Sequence, residues 1–288
     1  MNLLALVFAT QIAIWPGKPP EWKAPTAPET TAIGKKLIAG RPLTAVTNVS
    51  RPTMTVDSPQ GKNSGVAVVV FPGGGYRGLA IDLEGSEACD WLAAKGITCV
   101  LLKYRVPNSG PAWDDACHCY VKSNAALQDA QRTVGLLRSR AGALHIDPHK
   151  IGVLGFSAGG HLVANLSMHF VRRAYQPVDD ADKESCRPDF GIGIYPGLAA
   201  RRFEAKPATL ITSQMPPQFL LQAEDDPVDD VNDTLLFYIA LQKAHVPAEM
   251  HLYAHGGHAF GLRPSKFPIT HWPALVETWL KTIGVLPE

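Results

Sequence analysis

Gly155-Phe156-Ser157-Ala158-Gly159-Gly160-His161 directly follows the apolar run Ile151-Gly152-Val153-Leu154 in this 288-residue chain. The sequence predicts a buried strand that ends in a sharp turn and opens a helix. The form G-x-S-x-G is that of a nucleophile elbow, which holds a serine exposed at the tip of a strained strand-to-helix turn. Gly155 and Gly159 are predicted to sit where a side chain would collide with the turn or with a neighbouring strand. Ser157 is therefore the candidate nucleophile, and an acid and then a histidine should follow later in the chain.

The composition is that of one large globular domain. The chain is 46% hydrophobic and carries a formal net charge of +1, without a basic or acidic block. This balance gives no indication of nucleic acid or of an anionic membrane surface as a partner. No apolar run is long enough to span a bilayer, so we expect no integral membrane association. We predict that residues 11–288 form a single domain with a sizeable core.

The N-terminus allows two interpretations. Residues 1–10 form a short apolar run that resembles the core of a secretory signal, although the first basic residue is Lys18. Alternatively, these residues extend a first strand over 11–15. We predict a signal or N-terminal extension at 1–10 and a secreted or periplasmic protein, with a cytoplasmic location as the alternative.

The chain has five cysteines, and their odd number leaves at least one free thiol or an intermolecular bond. Cys117-His118-Cys119 could clamp a metal ion, but its C-x-C spacing lacks a matching second pair. We therefore favour loop or partly buried thiols in this segment and expect no metal site.

Strands alternate with helices along the chain, which predicts a mostly parallel sheet wrapped by helices. Residues 66–71 and 97–104 have the continuous apolar character of strands covered on both faces. Residues 16–34 are predicted to form an extended arm, and 170–188 a loop over the active site. The other predicted strands are 49–56, 150–155, 190–195, 218–222 and 248–253. The predicted helices are 81–94, 124–140, one from 158, 231–244 and 271–283.

Carboxylates follow a predicted strand at residues 224–230. Functional groups collect at the carboxyl ends of strands in an open parallel sheet, so one of these acids is expected to orient a catalytic histidine. We favour Asp226, because Pro227 stiffens the turn directly after it. The other candidates are Glu224, Asp225, Asp229 and Asp230.

Two histidines compete in the loop after the last predicted strand. His258 follows the flexible Gly256-Gly257 pair, so its ring can swing toward the serine, whereas His255 lies closer to the strand end. We favour His258 as the base. The order Ser157, Asp226, His258 is that of α/β-hydrolases and differs from that of chymotrypsin-like and subtilisin-like enzymes.

A glycine run follows the strand at 66–71. Acyl transfer builds negative charge on the carbonyl oxygen, and backbone N–H groups must already point at it. We assign the N–H groups of Gly74, Gly75 and Ala158 to this oxyanion hole. The alternatives are a plain turn or a phosphate loop, although a phosphate loop would end in a Lys-Ser/Thr pair that is absent here. Tyr76, Arg77 and Glu84 follow the loop and are candidates for lining the substrate pocket or for a structural role.

With these residues in place, the chain resembles the acetyl xylan esterase-like and carboxylesterase-like branch of the bacterial α/β-hydrolases. The resemblance implies the α/β-hydrolase fold, with a mostly parallel central sheet and helices on both faces. It also implies a Ser157–His258–Asp226 triad that hydrolyses short-chain carboxylic esters, such as acetyl esters of xylan or related carbohydrate, without a metal or organic cofactor. The matching segments are 72–76, 102–105, 129–132, 155–161, 187–190, 224–227 and 256–258.

Two other functions are compatible with this fold and order. A serine peptidase of the prolyl-oligopeptidase type has the same triad order, but such enzymes usually carry a large gating domain for which we expect no room here. A non-catalytic hydrolase-fold protein that binds a ligand or partner is the second alternative. Every residue type that catalysis requires is present, which argues against it.

Overall fold

A computed structural model of the chain describes residues 11–106, 113–114, 119–120, 123–198 and 210–287. The predicted signal or extension at 1–10 lies outside these residues, as do Cys117 and His118. The described residues form three sheets. Their strands are β1 (Gln11–Ala13), β2 (Thr30–Ile38), β3 (Arg41–Thr47), β4 (Thr53–Asp57), β5 (Ala67–Phe71), β6 (Gly78–Ala80), β7 (Thr98–Lys103), β8 (Trp113–Asp114), β9 (Cys119–Tyr120), β10 (Ile151–Phe156), β11 (Gly191–Ile194), β12 (Gln218–Ala223) and β13 (Ala248–Tyr253).

The main sheet has eight strands in the order β1-β4-β7-β5-β10-β11-β12-β13. The six strands from β7 to β13 in this order are parallel, and β4 pairs antiparallel with both β7 and β1. The carboxyl ends of β5, β10, β11, β12 and β13 therefore meet at one edge of the sheet. The segments that follow these strands contain the predicted nucleophile, acid, histidine and glycine loop.

Within the described residues, six α-helices accompany the sheet, with a π-helical turn (Asp82–Ser86) before the first of them. The predicted helix at 81–94 is thus a π turn followed by a shorter α-helix. The helices are α1 (Glu87–Ala94), α2 (Ser123–Ser139), α3 (Ala141–Leu144), α4 (Ala158–Met168), α5 (Val231–Lys243) and α6 (Trp272–Thr282). None of the helices in the described part of the chain is long and apolar enough to cross a membrane.

The helices bury the two faces of the main sheet. On one face Val69 and Val153 pack into a core with α2 and α4, and α5 adds a smaller cluster beside α4. On the other face Val68 and Leu154 pack with α1 and α6. Because successive strand side chains point to opposite faces, strands covered on both faces are apolar at every position. The predicted α/β-hydrolase architecture is confirmed.

The N-terminal region corrects one prediction. Residues 30–34, assigned to an extended arm, belong to β2, which pairs antiparallel with β3, and β3 pairs with β6 in a second, three-stranded sheet. Ile33 and Leu37 of β2 are exposed. A strand without a buried face has no alternation of apolar and polar residues, so the sequence pattern does not predict it.

Residues 170–188 also lie elsewhere than predicted. They pack along α2, where Asp179 binds both terminal nitrogens of the Arg132 guanidinium and Gln131 donates to the carbonyl of Arg172. The segment therefore covers buried polar groups of α2 and does not form a loop over the nucleophile.

Two cysteines of the described residues are bonded to each other. Cys89 of α1 and Cys99 of β7 form a disulfide, and Cys186 is a buried free thiol. Asp57 lies close enough to this pair to suggest a metal cluster. Because both sulfur atoms are bonded to each other, neither is available as a thiolate ligand, and the group does not form a metal site.

Candidate active site

The turn between β10 and α4 has the geometry of a nucleophile elbow. Ser157 has φ 52° and ψ −119°, a conformation that L-residues rarely adopt. A Cβ at Gly155 would lie 2.1 Å from the carbonyl oxygen of Gly159, and one at Gly159 would lie 1.9 Å from that of Phe71. The predicted steric requirement for both glycines is confirmed, because a methyl group at either position would overlap the backbone.

Ser157, His258 and Asp226 come together at the carboxyl edge of the sheet. His258 Nε2 lies 3.0 Å from Ser157 Oγ, and His258 Nδ1 lies 2.7 Å from Asp226 Oδ2. A neutral imidazole with its proton on Nδ1 satisfies both contacts, donating to the carboxylate and accepting from the hydroxyl. The arrangement can draw a proton from the serine and stabilise the imidazolium that results.

The Asp226 carboxylate is held from several sides. Its side chain is fully buried, and it accepts hydrogen bonds from the Gln222 side-chain amide and from the backbone N–H groups of Val228 and Asp229. These hydrogen bonds fix the carboxylate with Oδ2 directed at His258.

The competing candidates have other partners. Asp225 accepts from the backbone N–H groups of Gly256 and Gly257 and pairs with His255, whose side chain is 65% exposed. Asp225 thus anchors the loop that carries His258. Asp230 accepts from the N–H of Asn232 at the start of α5, and Glu224 is exposed.

The pKa of His258 is set by opposing effects. Burial lowers it, but the hydrogen bond and charge of Asp226 raise it, and the charges of Asp229 and Glu84 add to the rise. The pKa therefore lies above the ordinary value of 6.5. A raised pKa strengthens the base while leaving it more often protonated in mildly acidic solution.

The glycine loop faces the same edge. Gly74 and Gly75 have φ of 131° and 61°, values that favour glycine. No protein acceptor within the described residues receives the N–H of Gly74 or of Gly75, and Ala158 is the first residue of α4, where N–H groups lack intrahelical partners. All three border the cavity beside Ser157.

Glu84 links the loops on the two sides of the site. Its buried carboxylate accepts from the N–H of Gly73 and from the hydroxyl of Tyr195, and that hydroxyl in turn accepts from the N–H of Gly261. The Tyr195 ring also packs 4.9 Å from the ring of His258. A single buried carboxylate thus connects the glycine loop with the loop that carries the histidine.

Of the three residues predicted to line the substrate pocket, Glu84 alone borders the cavity. Tyr76 is buried, with its hydroxyl 2.7 Å from Nδ1 of His161, whose pKa burial lowers to about 4. Arg77 is exposed, and its N–H donates to the carbonyl of Gly74. Tyr76 and Arg77 therefore support the loop rather than the cavity wall.

The cavity beside Ser157 has a volume of about 270 Å³. Apart from the groups already described, its wall is mostly apolar. It includes Leu43 from the three-stranded sheet, so the N-terminal region builds part of the site. The remaining lining residues are Ala80, Leu83, Val228, Asp229 and Ala259.

The sequence pattern gives no indication of Tyr195, and it predicts Asp229 only as one of the alternatives to Asp226 as the orienting acid. Tyr195 directly follows β11, and Asp229 follows β12 by six residues. Their position after parallel strands was the signal available, because the carboxyl ends of those strands meet at one edge.

The chain is similar to several known proteins. Residues 56–185 match the family model described as BD-FAE. An acetylxylan esterase of Xylanibacter ruminicola is 29% identical, over 69% of this chain and 42% of that protein. Endo-1,4-beta-xylanase B of Butyrivibrio fibrisolvens is 27% identical, over 69% of this chain and 33% of that protein. The chain spans less than half the length of these two relatives.

Solved structures match over nearly the whole chain. An acetyl ester-xyloside bifunctional hydrolase from Caldicellulosiruptor lactoaceticus has a TM-score of 0.74 and 28% identity, covering 96% of this chain and 97% of that one. The native esterase Est2 from Thermogutta terrifontis has a TM-score of 0.66 and 23% identity, covering 93% and 96%. The second likeness shows the fold alone.

Proposed function

Because this chain has the α/β-hydrolase fold and its residues 56–185 match the BD-FAE family model, we propose that it is a serine esterase for short-chain carboxylic esters, with acetyl esters of xylan or related carbohydrate as substrates. The observation that carries the proposal is the pair of contacts that joins Ser157 Oγ to His258 Nε2 at 3.0 Å and His258 Nδ1 to Asp226 at 2.7 Å. Nucleophile, base and orienting acid are thereby in line.

In the first half of the reaction, Ser157 Oγ attacks the ester carbonyl carbon while His258 Nε2 takes the serine proton. The tetrahedral intermediate collapses, the bond to the alcohol oxygen breaks, and His258 returns the proton to that oxygen. The alcohol leaves, and the acyl group stays on Ser157. Asp226 holds the ring and stabilises the imidazolium while it exists.

In the second half, water takes the place of the alcohol. His258 removes a proton from the water as its oxygen attacks the acyl carbon, and then gives that proton to Ser157 Oγ as the acyl bond breaks. The products are a carboxylic acid and the free serine. No metal or organic cofactor takes part in this sequence.

The carbonyl oxygen carries negative charge in both tetrahedral intermediates. The N–H groups of Gly74, Gly75 and Ala158 border the cavity and are the donors that we assign to this oxygen. The N-terminal end of α4, directly after Ser157, adds a positive partial charge beside it.

The size and lining of the cavity support a short acyl group. A volume of about 270 Å³ with a mostly apolar wall has little room for a long chain next to Ser157. The likeness to an acetyl ester-xyloside hydrolase over 96% of this chain supports an acetylated sugar as the substrate.

We further propose that the protein works in an oxidising compartment, secreted or periplasmic. The disulfide between Cys89 and Cys99 supports this location, because disulfides persist outside the reducing cytosol. Cell fractionation followed by non-reducing electrophoresis tests it. Recovery of the native protein in the cytosol with reduced thiols would contradict it.

The activity is tested with acetylated xylan and with p-nitrophenyl esters of increasing chain length. Among the p-nitrophenyl esters, we expect kcat/KM to be highest for the acetyl ester and to fall with each two methylene groups added to the acyl chain. The Ser157→Ala variant should lose essentially all activity, and a fluorophosphonate should label wild-type protein at Ser157.

Three outcomes would contradict the proposal. Faster turnover of an aminoacyl-proline amide than of p-nitrophenyl acetate would indicate a peptidase. Folded wild-type protein that takes no fluorophosphonate label would indicate a binding protein. Activity confined to esters with long acyl chains would contradict the proposed preference for short acyl groups but not the proposed esterase activity.

A further inference from the structure

Asp229 places a second carboxylate next to the catalytic histidine. It lies three residues after Asp226 and lines the cavity beside Ser157. Its Oδ2 is 3.8 Å from His258 Nε2, the nitrogen that faces the serine, whereas Asp226 contacts Nδ1 on the other side of the ring. The Asp229 side chain is 15% exposed, so its carboxylate faces a confined space.

The two carboxylates differ in their partners. Asp226 accepts three hydrogen bonds besides its contact with His258. Within the described residues no group donates a hydrogen bond to the carboxylate of Asp229, although its backbone N–H donates to Asp226 and its carbonyl accepts from Gln222. The oxygens of the Asp229 side chain are thus open to a donor in the cavity.

The surroundings of Asp229 raise the pKa of its carboxyl group. Burial raises its pKa to about 6, since the nearby His258 only partly offsets the loss of water and the charges of Asp226 and Asp233 oppose ionisation. The carboxylate is nevertheless mainly ionised at neutral pH. A buried carboxylate without donors is costly, and a ligand hydroxyl that donates to it removes part of that cost.

The position of Asp229 corresponds to the alcohol side of an ester. His258 Nε2 must reach the leaving oxygen to give it a proton, so the alcohol passes within reach of Asp229. Glu84 is the other acid of the cavity wall, but both of its oxygens already accept from protein donors. Among the described residues, Asp229 is therefore the carboxylate of this wall whose side-chain oxygens can accept a hydrogen bond from a substrate.

We propose that Asp229 determines specificity by accepting a hydrogen bond from a hydroxyl that neighbours the ester oxygen on the leaving alcohol. The enzyme then selects esters of polyols such as sugars over esters of alcohols without a second hydroxyl. The inference rests on the proposed function, because it requires the alcohol to leave from the His258 side of the site.

The test compares two acetyl esters of a methyl xyloside, one with the neighbouring hydroxyl and one with that position deoxygenated. Wild-type enzyme should prefer the first by about tenfold or more in kcat/KM, since hydrogen bonds to charged groups discriminate by at least this factor. The Asp229→Ala variant should lose most of this preference. Asp229→Asn should keep part of it, because its amide oxygen still accepts.

The matched control is Asp180→Asn, at a side chain that is 92% exposed and paired with Lys183 on the surface. It should keep the wild-type preference. Equal kcat/KM of wild-type enzyme for the two xyloside esters would overturn the assignment without any variant having to fold. An unchanged preference in folded Asp229→Ala would do the same.

Hydrolysis of p-nitrophenyl acetate by wild-type enzyme and its loss in Ser157→Ala test the proposed function separately. If this hydrolysis is present and the preference is absent, the assignment of Asp229 alone fails. If wild-type enzyme hydrolyses no ester, the proposed function fails, and the assignment fails with it.

Discussion

The two sides of the site are built by different physical means. On the serine side, Gly155 and Gly159 bring backbone atoms so close that a Cβ would lie within about 2 Å of a carbonyl oxygen. On the acid–histidine side, the loops after β12 and β13 are joined by hydrogen bonds to Asp225 and Asp226. One side is defined by excluded volume and the other by directional contacts.

This difference explains how well each side can be recognised in the sequence. Excluded volume leaves glycine as the only residue type at a position, so the elbow has a distinctive local pattern. A hydrogen bond to a histidine can come from any acid that reaches it. Five carboxylates between Glu224 and Asp230 follow the strand closely enough to be candidates. Pro227 favours Asp226 among them, and the contact of Asp226 with His258 Nδ1 identifies it in the structure.

The largest effect is expected on the hydrogen-bonded side, from Asp226→Asn. The amide would favour the wrong tautomer of His258 and would not stabilise the imidazolium, so kcat for p-nitrophenyl acetate should fall by about 10⁴-fold. Asp225→Asn is the matched control, because its side-chain oxygen can still accept from Gly256 and Gly257. A loss of similar size in both variants would show that loop order, not the Asp226 charge, carries the effect.

On the serine side, Gly159→Ala tests excluded volume. Its Cβ would lie 1.9 Å from the Phe71 carbonyl oxygen, so the free energy of unfolding should fall by about 3 kcal/mol or more. Gly142→Ala, where nothing lies within 4 Å of the added atom, should be neutral or slightly stabilising. Thermal unfolding measures both. A melting temperature of Gly159→Ala within a degree of wild type would remove the steric explanation of the elbow.

The connection between the two sides is tested by Tyr195→Phe. The change leaves Oε1 of Glu84 and the N–H of Gly261 each without a hydrogen-bond partner, while Oε2 of Glu84 still accepts from Gly73. The free energy of unfolding should therefore fall by roughly 1–3 kcal/mol. We also expect kcat to fall, because the histidine loop loses its tie to the glycine loop. Tyr253→Phe is the control, since its hydroxyl makes no hydrogen bond within the described residues. Urea denaturation measures the free energy of unfolding. If both variants have the wild-type value, Tyr195 does not stabilise the protein by linking Glu84 to Gly261.

The smallest effect concerns pH. His258 acts as a base only when neutral, and its raised pKa places the acid limb of kcat/KM above pH 6.5, with activity lost as the pH falls. Burial opposes the rise in the pKa of His258, and the charges of Asp226, Asp229 and Glu84 cause it. Asp229→Asn removes one of these charges, so the limb should move to lower pH. A limb that stays in place or moves to higher pH would show that Asp229 does not act on His258 through its charge.

Most strands of the main sheet could be predicted, because strands buried on both faces are apolar throughout. The strands of the three-stranded sheet could not. β2 exposes Ile33 and Leu37 and lies in a polar segment, so no hydrophobic periodicity predicts it. The segment at 170–188 was misplaced for a related reason. Its partners on α2 include Gln131 and Arg132, polar residues that this distant segment helps to bury.

Local sequence is enough to predict the elbow, the order of Ser157, Asp226 and His258, and the sheet that carries them. These depend on local sterics and on burial patterns, which short stretches of chain encode. Three contacts are visible only in the folded protein. Asp226 contacts Nδ1 of His258, Asp229 approaches Nε2 of the same ring, and Glu84 and Tyr195 link the glycine loop to the histidine loop. Those contacts join residues up to 111 positions apart, and their distances depend on the order in which the strands pair.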